Sequence, residues 1–281
     1  MKTRVRNVAR AAKRASDAAK RAVYTLGGKK PRARGYTAFR AKVTADALKQ
    51  PFNPDRLESG WGYRVDERIV EYPWFFNRLP KGPGKLLDAG SILNFDFLVE
   101  HPRIAEKRVF ISNLQPEGHN FYDRAVSYIF EDLRDSCFRD GYFDWVVSIS
   151  TLEHVGMDNT RFYEGGLSKA ESRGESYLEV VRELRRVLRP GGNLYLTVPY
   201  GKRADHGWLQ VFDAAMLDGV IEAFAPTRTT EHHFLYEPDG WRTSDRKGSA
   251  SATYADFYKT GKYDPDYAVG ARAVACLDLV K

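Results

Sequence analysis

Short apolar runs alternate with amphipathic stretches over residues 85–281. The apolar runs predict buried strands, because four to eight consecutive apolar or β-branched residues between turn signals are typical of a covered sheet. Apolar residues at helical spacing predict helices at 176–188, followed by the RPGG turn 189–192, and at 212–224. The predicted strands are 85–89, 108–112, 126–130, 143–150, 193–199, 227–237 and 271–280.

This alternation predicts an α/β fold, in which a mostly parallel sheet carries helices on both faces. In such sheets a ligand binds beyond the carboxyl ends of the strands, where the strand order reverses. Candidate chemistry is therefore expected just after residues 89, 112, 130, 150 and 199.

The first 35 residues follow a different pattern. Wound as a helix, residues 4–26 place alanine and valine on one side and most of the lysine and arginine on the other. Residues 1–34 carry twelve Lys or Arg and one acid, Asp17, whereas the remaining chain carries 32 basic and 36 acidic residues. The net charge of +7 therefore comes from this basic arm, and the rest of the chain is mildly acidic.

Four interpretations of the basic arm stay open. It is a solvated helical or disordered arm, an amphipathic helix in which residues 1–26 make weak contact with an anionic membrane surface, a nucleic-acid contact, or an organelle transit segment. Nucleic acid is disfavoured as a partner, because no aromatic residue interleaves the charges before Tyr24.

The composition limits the class of protein. With 281 residues, 43% of them hydrophobic, the chain can form a full core. No run approaches the ~20 apolar residues of a membrane helix, and no secretory signal is expected. Cys137 and Cys276 form no CxxC motif or Cys/His cluster, so no metal site is predicted. A cytoplasmic protein is expected, peripheral at the inner face of the membrane if the arm binds lipid.

Small and polar residues follow each of the first five predicted strands. An acid about 20 residues past a glycine turn commonly binds ribose hydroxyls, and here an amide, Asn113, stands 23 residues past Gly90. The third strand end offers an acid to an adenine amino group and a leucine to its ring. These residues are Asp88, Gly90 and Ser91 at the end of the first strand, Asn113 after the second, and Asp132 and Leu133 after the third. The segments SISTLEHVGMD (148–158) and PYGK (199–202) mark the ends of the fourth and fifth strands.

Three motifs in order resemble the class I S-adenosylmethionine-dependent methyltransferases. They are KLLDAG (85–90), GYFDWVVSISTLEHV (141–155) and ELRRVLRPGGNLYLTVP (183–199), and the resemblance covers roughly residues 64–281. Within that class, DAGS…LN (88–94), LEHVGMDN (152–159) and VPYGK (198–202) resemble bacterial methyltransferases of sugar or surface-polysaccharide biosynthesis.

The resemblance implies a Rossmann-like sheet of seven strands in the order 3-2-1-4-5-7-6, with the seventh strand antiparallel. It implies S-adenosylmethionine as the cofactor and a small-molecule or sugar acceptor, methylated on oxygen. It also implies cofactor-binding roles near the methionine end, the ribose and the adenine. The residues concerned are Asp88, Gly90, Ser91, Asn94, Asn113, Asp132, Leu133 and Ser150.

Two features depart from the family pattern. Ile92 and Asn94 stand where further glycines are usual, and the ribose acid is an amide. Methyl transfer to a hydroxyl needs a base, and His154 is the first candidate because its ordinary pKa lies near neutral pH. His206 and Asp205 are the alternatives.

Three rival functions are weighed against methyl transfer to a small molecule. The altered glycine loop favours a catalytically inactive binding protein on the same fold. The basic arm favours a nucleic-acid methyltransferase, although no Asn-Pro-Pro-aromatic motif follows the fourth strand. A nicotinamide dehydrogenase would need the glycine-rich turn and ribose acid that this chain lacks.

The chain is predicted to divide into three parts. These are the arm and linker 1–35, a helical cap 36–84 and the catalytic domain 85–281. Within the cap, YRVDERIVEYPWFFNRL (63–79) predicts an aromatic helix against the sheet. The excursion 155–176, with Tyr163, Gly165 and Gly166, is expected to act as a lid or pocket wall.

Overall fold

A twisted sheet, eight-stranded within the described part of the chain, runs through the centre of the protein. The structure is a computed structural model that describes residues 2–163 and 170–281, with residues 2–11, 13 and 14 described by their backbone alone. The strands of the sheet are β1 (Gly84–Ala89), β2 (Lys107–Asn113), β3 (Val126–Phe130), β4 (Phe143–Ile149), β5 (Leu188–Pro199), β8 (Arg228–Glu237), β9 (Gly240–Ser244) and β12 (Ala273–Val280).

Two short antiparallel pairs lie outside this sheet. They are β6 (Ala204–Asp205) with β7 (Gln210–Val211), and β10 (Tyr254–Ala255) with β11 (Gly270–Ala271). The helices are α1 (Lys2–Leu26), α2 (Tyr36–Ala47), α3 (Arg68–Arg78), α4 (Asp96–Val99), α5 (Tyr177–Val187), α6 (Ala214–Phe224), α7 (Arg246–Ser249) and α8 (Phe257–Thr260).

The strand order is β3-β2-β1-β4-β5-β12-β8-β9. The first five strands are parallel, whereas β12 is antiparallel to both of its neighbours. The predicted order 3-2-1-4-5-7-6 is confirmed over seven strands, with β12 as the seventh and β8 as the sixth. The expected number of strands is corrected, because β9 extends the edge by pairing antiparallel with β8.

The extra strand had a signal in the sequence. Pro238-Asp239-Gly240 is a strong turn sequence, and Gly240 has a φ of +132°, which favours glycine. The strand that follows, GWRTS, has too few apolar residues to produce a clear period of two.

The two faces of the sheet form two cores. Leu86 and Trp145 belong to the core under α3, whereas their neighbours Leu87 and Val146 belong to the core under α5 and α6. This follows from the alternation of side chains along a strand. The α3 core also holds the aromatic residues of the predicted cap helix, so Trp74, Phe75 and Phe76 pack as core residues.

The basic arm forms helix α1, and its end packs on the rest of the protein. Tyr24 is buried, with its ring 4.9 Å from that of Phe39 and 5.8 Å from that of Tyr36 in α2. Arg64 then donates a hydrogen bond of 2.6 Å to the carbonyl of Gly28. Among the described residues, none of the helices has the length and apolar character needed to cross a membrane.

Candidate active site

A cavity of about 540 Å³ lies at the carboxyl ends of the parallel strands. Its wall comes from the segments that follow β1, β2, β3 and β4, as expected for a sheet whose strand order reverses between β1 and β4. Five predicted cofactor residues line it, namely Gly90, Asn113, Asp132, Leu133 and Ser150. His154 lines it as well.

Asp88 shapes the loop after β1 from beneath and is not among the residues that line the described cavity. Its buried carboxylate accepts hydrogen bonds from the backbone N–H groups of Ile92, at 3.0 Å, and Leu93, at 2.8 Å. Burial raises the pKa of Asp88 to about 7. The loop therefore keeps its turn by bonding to Asp88, without the further glycines of the family pattern.

Gly90 is required by a close approach between two loops. Its φ is +121°, and a Cβ atom built there would lie 2.2 Å from the Oγ1 atom of Thr151 in the loop after β4. Such a distance is far inside van der Waals contact, so a side chain at this position would separate the two loops that line the cavity.

Glu117 lies at the centre of the cofactor residues, although no sequence pattern predicted a role for it. Its carboxylate accepts hydrogen bonds from the side-chain amides of Asn94, at 2.8 Å, and Asn113, at 3.1 Å, and from the hydroxyl of Ser91. Three predicted cofactor residues therefore converge on one carboxylate that itself lines the cavity. No motif indicated this residue, because it lies in the loop QPEGH (115–119), four residues past the end of β2.

Asn94 supports Glu117 from the buried side. Asn94 is 1% exposed and is not part of the described cavity wall. Its side-chain oxygen accepts a hydrogen bond of 2.8 Å from the hydroxyl of Tyr128. The amide is thereby oriented with its NH₂ group toward Glu117, which makes Asn94 a residue that positions the carboxylate.

Asp132 is held by an arginine next to it in the cavity. Arg134 binds both oxygens of Asp132 and also both oxygens of Glu171, at 2.6 and 2.8 Å. The guanidinium fork suits such paired contacts with two carboxylates. Glu171 belongs to the predicted lid, so Arg134 links the lid to the adenine end of the predicted site.

The side chain of Ser150 turns away from the cavity. Ser150 has a φ of +43°, and its hydroxyl donates a hydrogen bond of 2.7 Å to Glu71, a buried residue of α3. Thr197 at the end of β5 donates to the same oxygen at 2.5 Å, and Arg68 forms an ion pair with Glu71. Glu71 therefore joins the cap to the ends of β4 and β5.

His154 presents a neutral ring to the cavity. Its Nδ1 atom lies 2.8 Å from the carbonyl oxygen of Trp208, and a carbonyl only accepts, so Nδ1 carries the hydrogen and Nε2 keeps its lone pair. The ring stacks on Trp208 with centroids 5.3 Å apart. Burial lowers the pKa of His154 to about 4.

The two alternative bases lie elsewhere. Asp205 accepts a hydrogen bond of 2.7 Å from the backbone of Gly207 in an exposed turn. The Nδ1 atom of His206 is 3.2 Å from the carboxylate of Asp256. Neither residue is part of the wall of this cavity in the described chain.

The expected lid contributes to the cavity on the side away from the sheet. Asn159, Phe162 and Tyr163 line it, and the Tyr163 hydroxyl donates a hydrogen bond of 2.9 Å to Asn113. Gly165 and Gly166, which the sequence analysis placed in the same excursion, lie outside the described residues.

The charge and polarity of the cavity fit S-adenosylmethionine. Its described wall carries four carboxylates and one guanidinium, which favours a ligand with positive charge. The carboxylates are Glu117, Glu131, Asp132 and Glu171, and the guanidinium is that of Arg134. The Glu117 carboxylate offers acceptors for a pair of hydroxyls, and Leu133 offers an apolar surface for a ring.

Comparison with known families agrees with this chemistry. Residues 105–196 match the family described as "Methyltransferase domain". This match confirms the predicted enzyme class, a methyltransferase, and S-adenosylmethionine as its cofactor. No curated protein matches the chain.

The solved structures that are similar to this chain include the following two. One is the 1,6-didemethyltoxoflavin-N1-methyltransferase of Burkholderia thailandensis with bound 1,6-didemethyltoxoflavin and S-adenosylhomocysteine, at 13% identity and a TM-score of 0.42 over 71% of this chain and 72% of that one. The other, from Thermotoga maritima, is a S-adenosylmethionine-dependent methyltransferase described as a possible histamine N-methyltransferase, at 11% identity and a TM-score of 0.45 over 76% of this chain and 89% of that one.

Proposed function

We propose that this protein transfers a methyl group to a hydroxyl of a small-molecule or sugar acceptor, in surface-polysaccharide or glycan biosynthesis. The observation that carries the proposal is the placement of His154, whose uncharged ring lines the cofactor cavity with Nε2 able to accept a proton. When bound, S-adenosylmethionine supplies a methyl group activated by its attachment to a sulfonium.

His154 is proposed to act as the general base. Because Nδ1 donates to the Trp208 carbonyl, the ring has a fixed orientation, and Nε2 is the atom that takes the hydroxyl proton. Glu153 lies close by, with an oxygen 3.9 Å from Nε2, and burial raises its pKa well above the ordinary value. Burial thus disfavours the charged form of Glu153, the form that would stabilise a protonated His154.

Glu117 and Asn113 are proposed to hold the ribose hydroxyls of the cofactor. The charge that the family pattern places at the end of the second strand is then supplied by Glu117, which is hydrogen-bonded to the Asn113 amide at 3.1 Å. A carboxylate gives the hydroxyls charge-assisted hydrogen bonds that an amide alone cannot give.

A group of aromatic side chains beside His154 supports a sugar acceptor. Phe162 and Tyr258 are 48% and 56% exposed. Phe162 contacts both the His154 ring and Trp208, whereas Tyr258 contacts Trp208. Exposed aromatic faces next to a base suit the apolar face of a sugar ring, which has hydroxyls at its edge.

The direct test is a screen of nucleotide sugars and simple glycosides with S-adenosylmethionine labelled in its methyl group. We expect a methyl ether in the product, formed at least about a hundredfold more slowly by the variant His154→Gln. Calorimetry with S-adenosylmethionine serves as the control, since this variant should bind it as the wild type does. Transfer to an amine or carbon, or an unchanged rate in the variant, would overturn the assignment.

We also propose that residues 1–26 hold the protein weakly at the anionic inner face of the membrane. The support is the charge pattern of α1, a helix with twelve basic residues in or just after it and one acid, Asp17. The variant Arg6→Gln/Arg10→Gln/Arg14→Gln of the full chain should lose binding to phosphatidylglycerol vesicles. Equal binding of variant and wild type would refute this contact.

A further inference from the structure

A second cavity, of about 730 Å³, lies between α1, α2, the start of α3 and the segment that follows β1. We call it the arm groove. None of the described residues lines both this groove and the cofactor cavity. The proposed methyl transfer does not involve this groove.

Basic side chains dominate the arm groove. Among the residues whose side chains the structure describes, six lysine or arginine residues line it, against two acids, Asp17 and Asp96. The basic residues are Lys20, Arg21, Arg34, Arg40, Lys42 and Arg68. Four of them already have acidic partners: Lys20 pairs with Asp17, Arg40 with Asp66, Lys42 with Asp46 and Arg68 with Glu71.

Arg21 and Arg34 differ from the other four. Neither forms an ion pair or a side-chain hydrogen bond within residues 2–163 and 170–281. They come from opposite sides of the turn that joins α1 to α2, and both line the groove. Arg21 and Arg34 are therefore the cations of this groove that have no acidic partner among the described residues and are available to an anion.

A buried hydroxyl in the same groove also lacks a partner. Thr44 is 1% exposed, and its Oγ1 atom has no hydrogen-bond partner in the described structure. A buried polar atom without a partner destabilises the folded protein. A ligand oxygen in the groove would provide the missing bond, and this observation is independent of the charges.

The remaining wall is aromatic. Tyr72, Phe95, Phe97 and Phe121 line the groove, and Phe95 is 38% exposed. An inorganic ion would leave this surface in contact with water. The groove therefore suits a ligand with an apolar or ring-shaped body and an anionic end.

We propose that the arm groove binds a phosphate ester with an apolar or aromatic body, with Arg21 and Arg34 on the phosphate and Thr44 as an additional donor. Arginine forks pair with phosphate oxygens through two hydrogen bonds each. A dianionic phosphate balances the excess of positive charge better than a single carboxylate does. Soluble metabolites and lipid headgroups share this chemistry.

Phenyl phosphate is the first probe, used with the full chain in calorimetry. We expect it to bind more tightly than inorganic phosphate, because its ring covers the aromatic wall. The variant Arg21→Gln/Arg34→Gln should weaken it about tenfold or more. The control Lys81→Gln/Arg182→Gln removes the same charge from two exposed positions outside the groove and should change the affinity little.

Thr44→Val separates a binding role from a structural one. This change removes the unpartnered hydroxyl while keeping the shape of the side chain, so the folded protein should be as stable or more stable. The affinity for phenyl phosphate should nevertheless fall severalfold. A Thr44 with only a structural role would leave the affinity unchanged.

Phosphatidylcholine vesicles with and without phosphatidic acid distinguish the two sources of phosphate. Groove-dependent binding of phenyl phosphate alone identifies a soluble ligand, whereas groove-dependent binding of the acidic vesicles identifies a lipid headgroup. The proposal is overturned if neither probe binds, or if the control variant loses as much binding as Arg21→Gln/Arg34→Gln. Cofactor binding and methyl transfer are measured separately, so failure here leaves the proposed function untouched.

Discussion

The hydroxyl of Ser150 donates a hydrogen bond to Glu71 over 2.7 Å, although the two residues are 79 positions apart in the chain. Through this contact a buried carboxylate of the cap binds the residue that follows β4. The cap is therefore part of the site's support, because the loop that carries His154 begins at Ser150.

Glu71→Ala should lower the free energy of unfolding by about 3 kcal/mol or more. The change leaves Arg68 charged and partly buried without its partner, and it removes the acceptor of Ser150 and Thr197. Denaturant unfolding measures this loss. Asp46→Ala, which breaks only exposed ion pairs with Lys42 and Lys49, should cost less than about 1 kcal/mol. Equal losses of unfolding free energy in the two variants would contradict a supporting role for Glu71.

Glu117→Gln should weaken S-adenosylmethionine binding by about tenfold or more, because a charge-assisted hydrogen bond becomes a neutral one. Calorimetry provides the readout, and thermal unfolding without the cofactor should change little. The double variant Asn113→Asp/Glu117→Gln exchanges acid and amide and should recover much of the affinity. An affinity that is unaffected by Glu117→Gln would place the ribose elsewhere.

The pH dependence of kcat/KM should show its acid limb near pH 4, because the pKa of His154 is lowered to about 4 from its ordinary 6.5. The unfolded chain holds a proton on this residue up to the higher value. Between about pH 4 and 6.5 the unfolded state therefore binds more protons, and the contribution of His154 to the free energy of unfolding falls as the pH falls. As the pH falls from about 6.5 to about 4, the free energy of unfolding of the wild type should therefore fall relative to that of His154→Gln. A limb near pH 6.5 would show that His154 is not buried in the active enzyme.

Gly90→Ala should reduce both stability and cofactor binding. The added Cβ would meet Thr151 at 2.2 Å, and alanine is strained at a φ of +121° by about 1–3 kcal/mol. Thermal unfolding and calorimetry report the two losses. Gly90→Ala/Thr151→Gly removes the clash and should recover part of the stability. If the second change has no effect, contact with Thr151 is not the reason for the glycine.

The sequence predicted the sheet well, because long apolar strands that are covered on both sides have a strong signal. The alternation of strands with helices at 176–188 and 212–224 and the position of the cavity followed from these patterns. The order of seven strands followed from the resemblance to a known family. The sequence did not predict which side chains face the cofactor cavity and which bond to the protein itself. Asp88 and Asn94 lie near the predicted ligand, yet their side chains bond to the protein itself.

Glu117 shows why such roles are hidden in a sequence. It lies in a loop without a periodic pattern, and its contacts with Ser91, Asn94 and Asn113 exist only after β1 and β2 have paired. Arg134 is similar, since its link to Glu171 spans 37 residues. Contacts made by loop side chains across large separations leave no local signal.

The edge strand β9 has a consequence for how the chain folds. The indole N–H of Trp241 in β9 donates a hydrogen bond of 2.9 Å to the carbonyl of Val65, 176 residues earlier. The segment leading into the cap helix therefore cannot complete its contacts until Trp241 has left the ribosome. Loop closure over such a separation is slow, so the aromatic residues of α3 stay exposed during synthesis, and the nascent chain is at its most aggregation-prone before its last strands emerge.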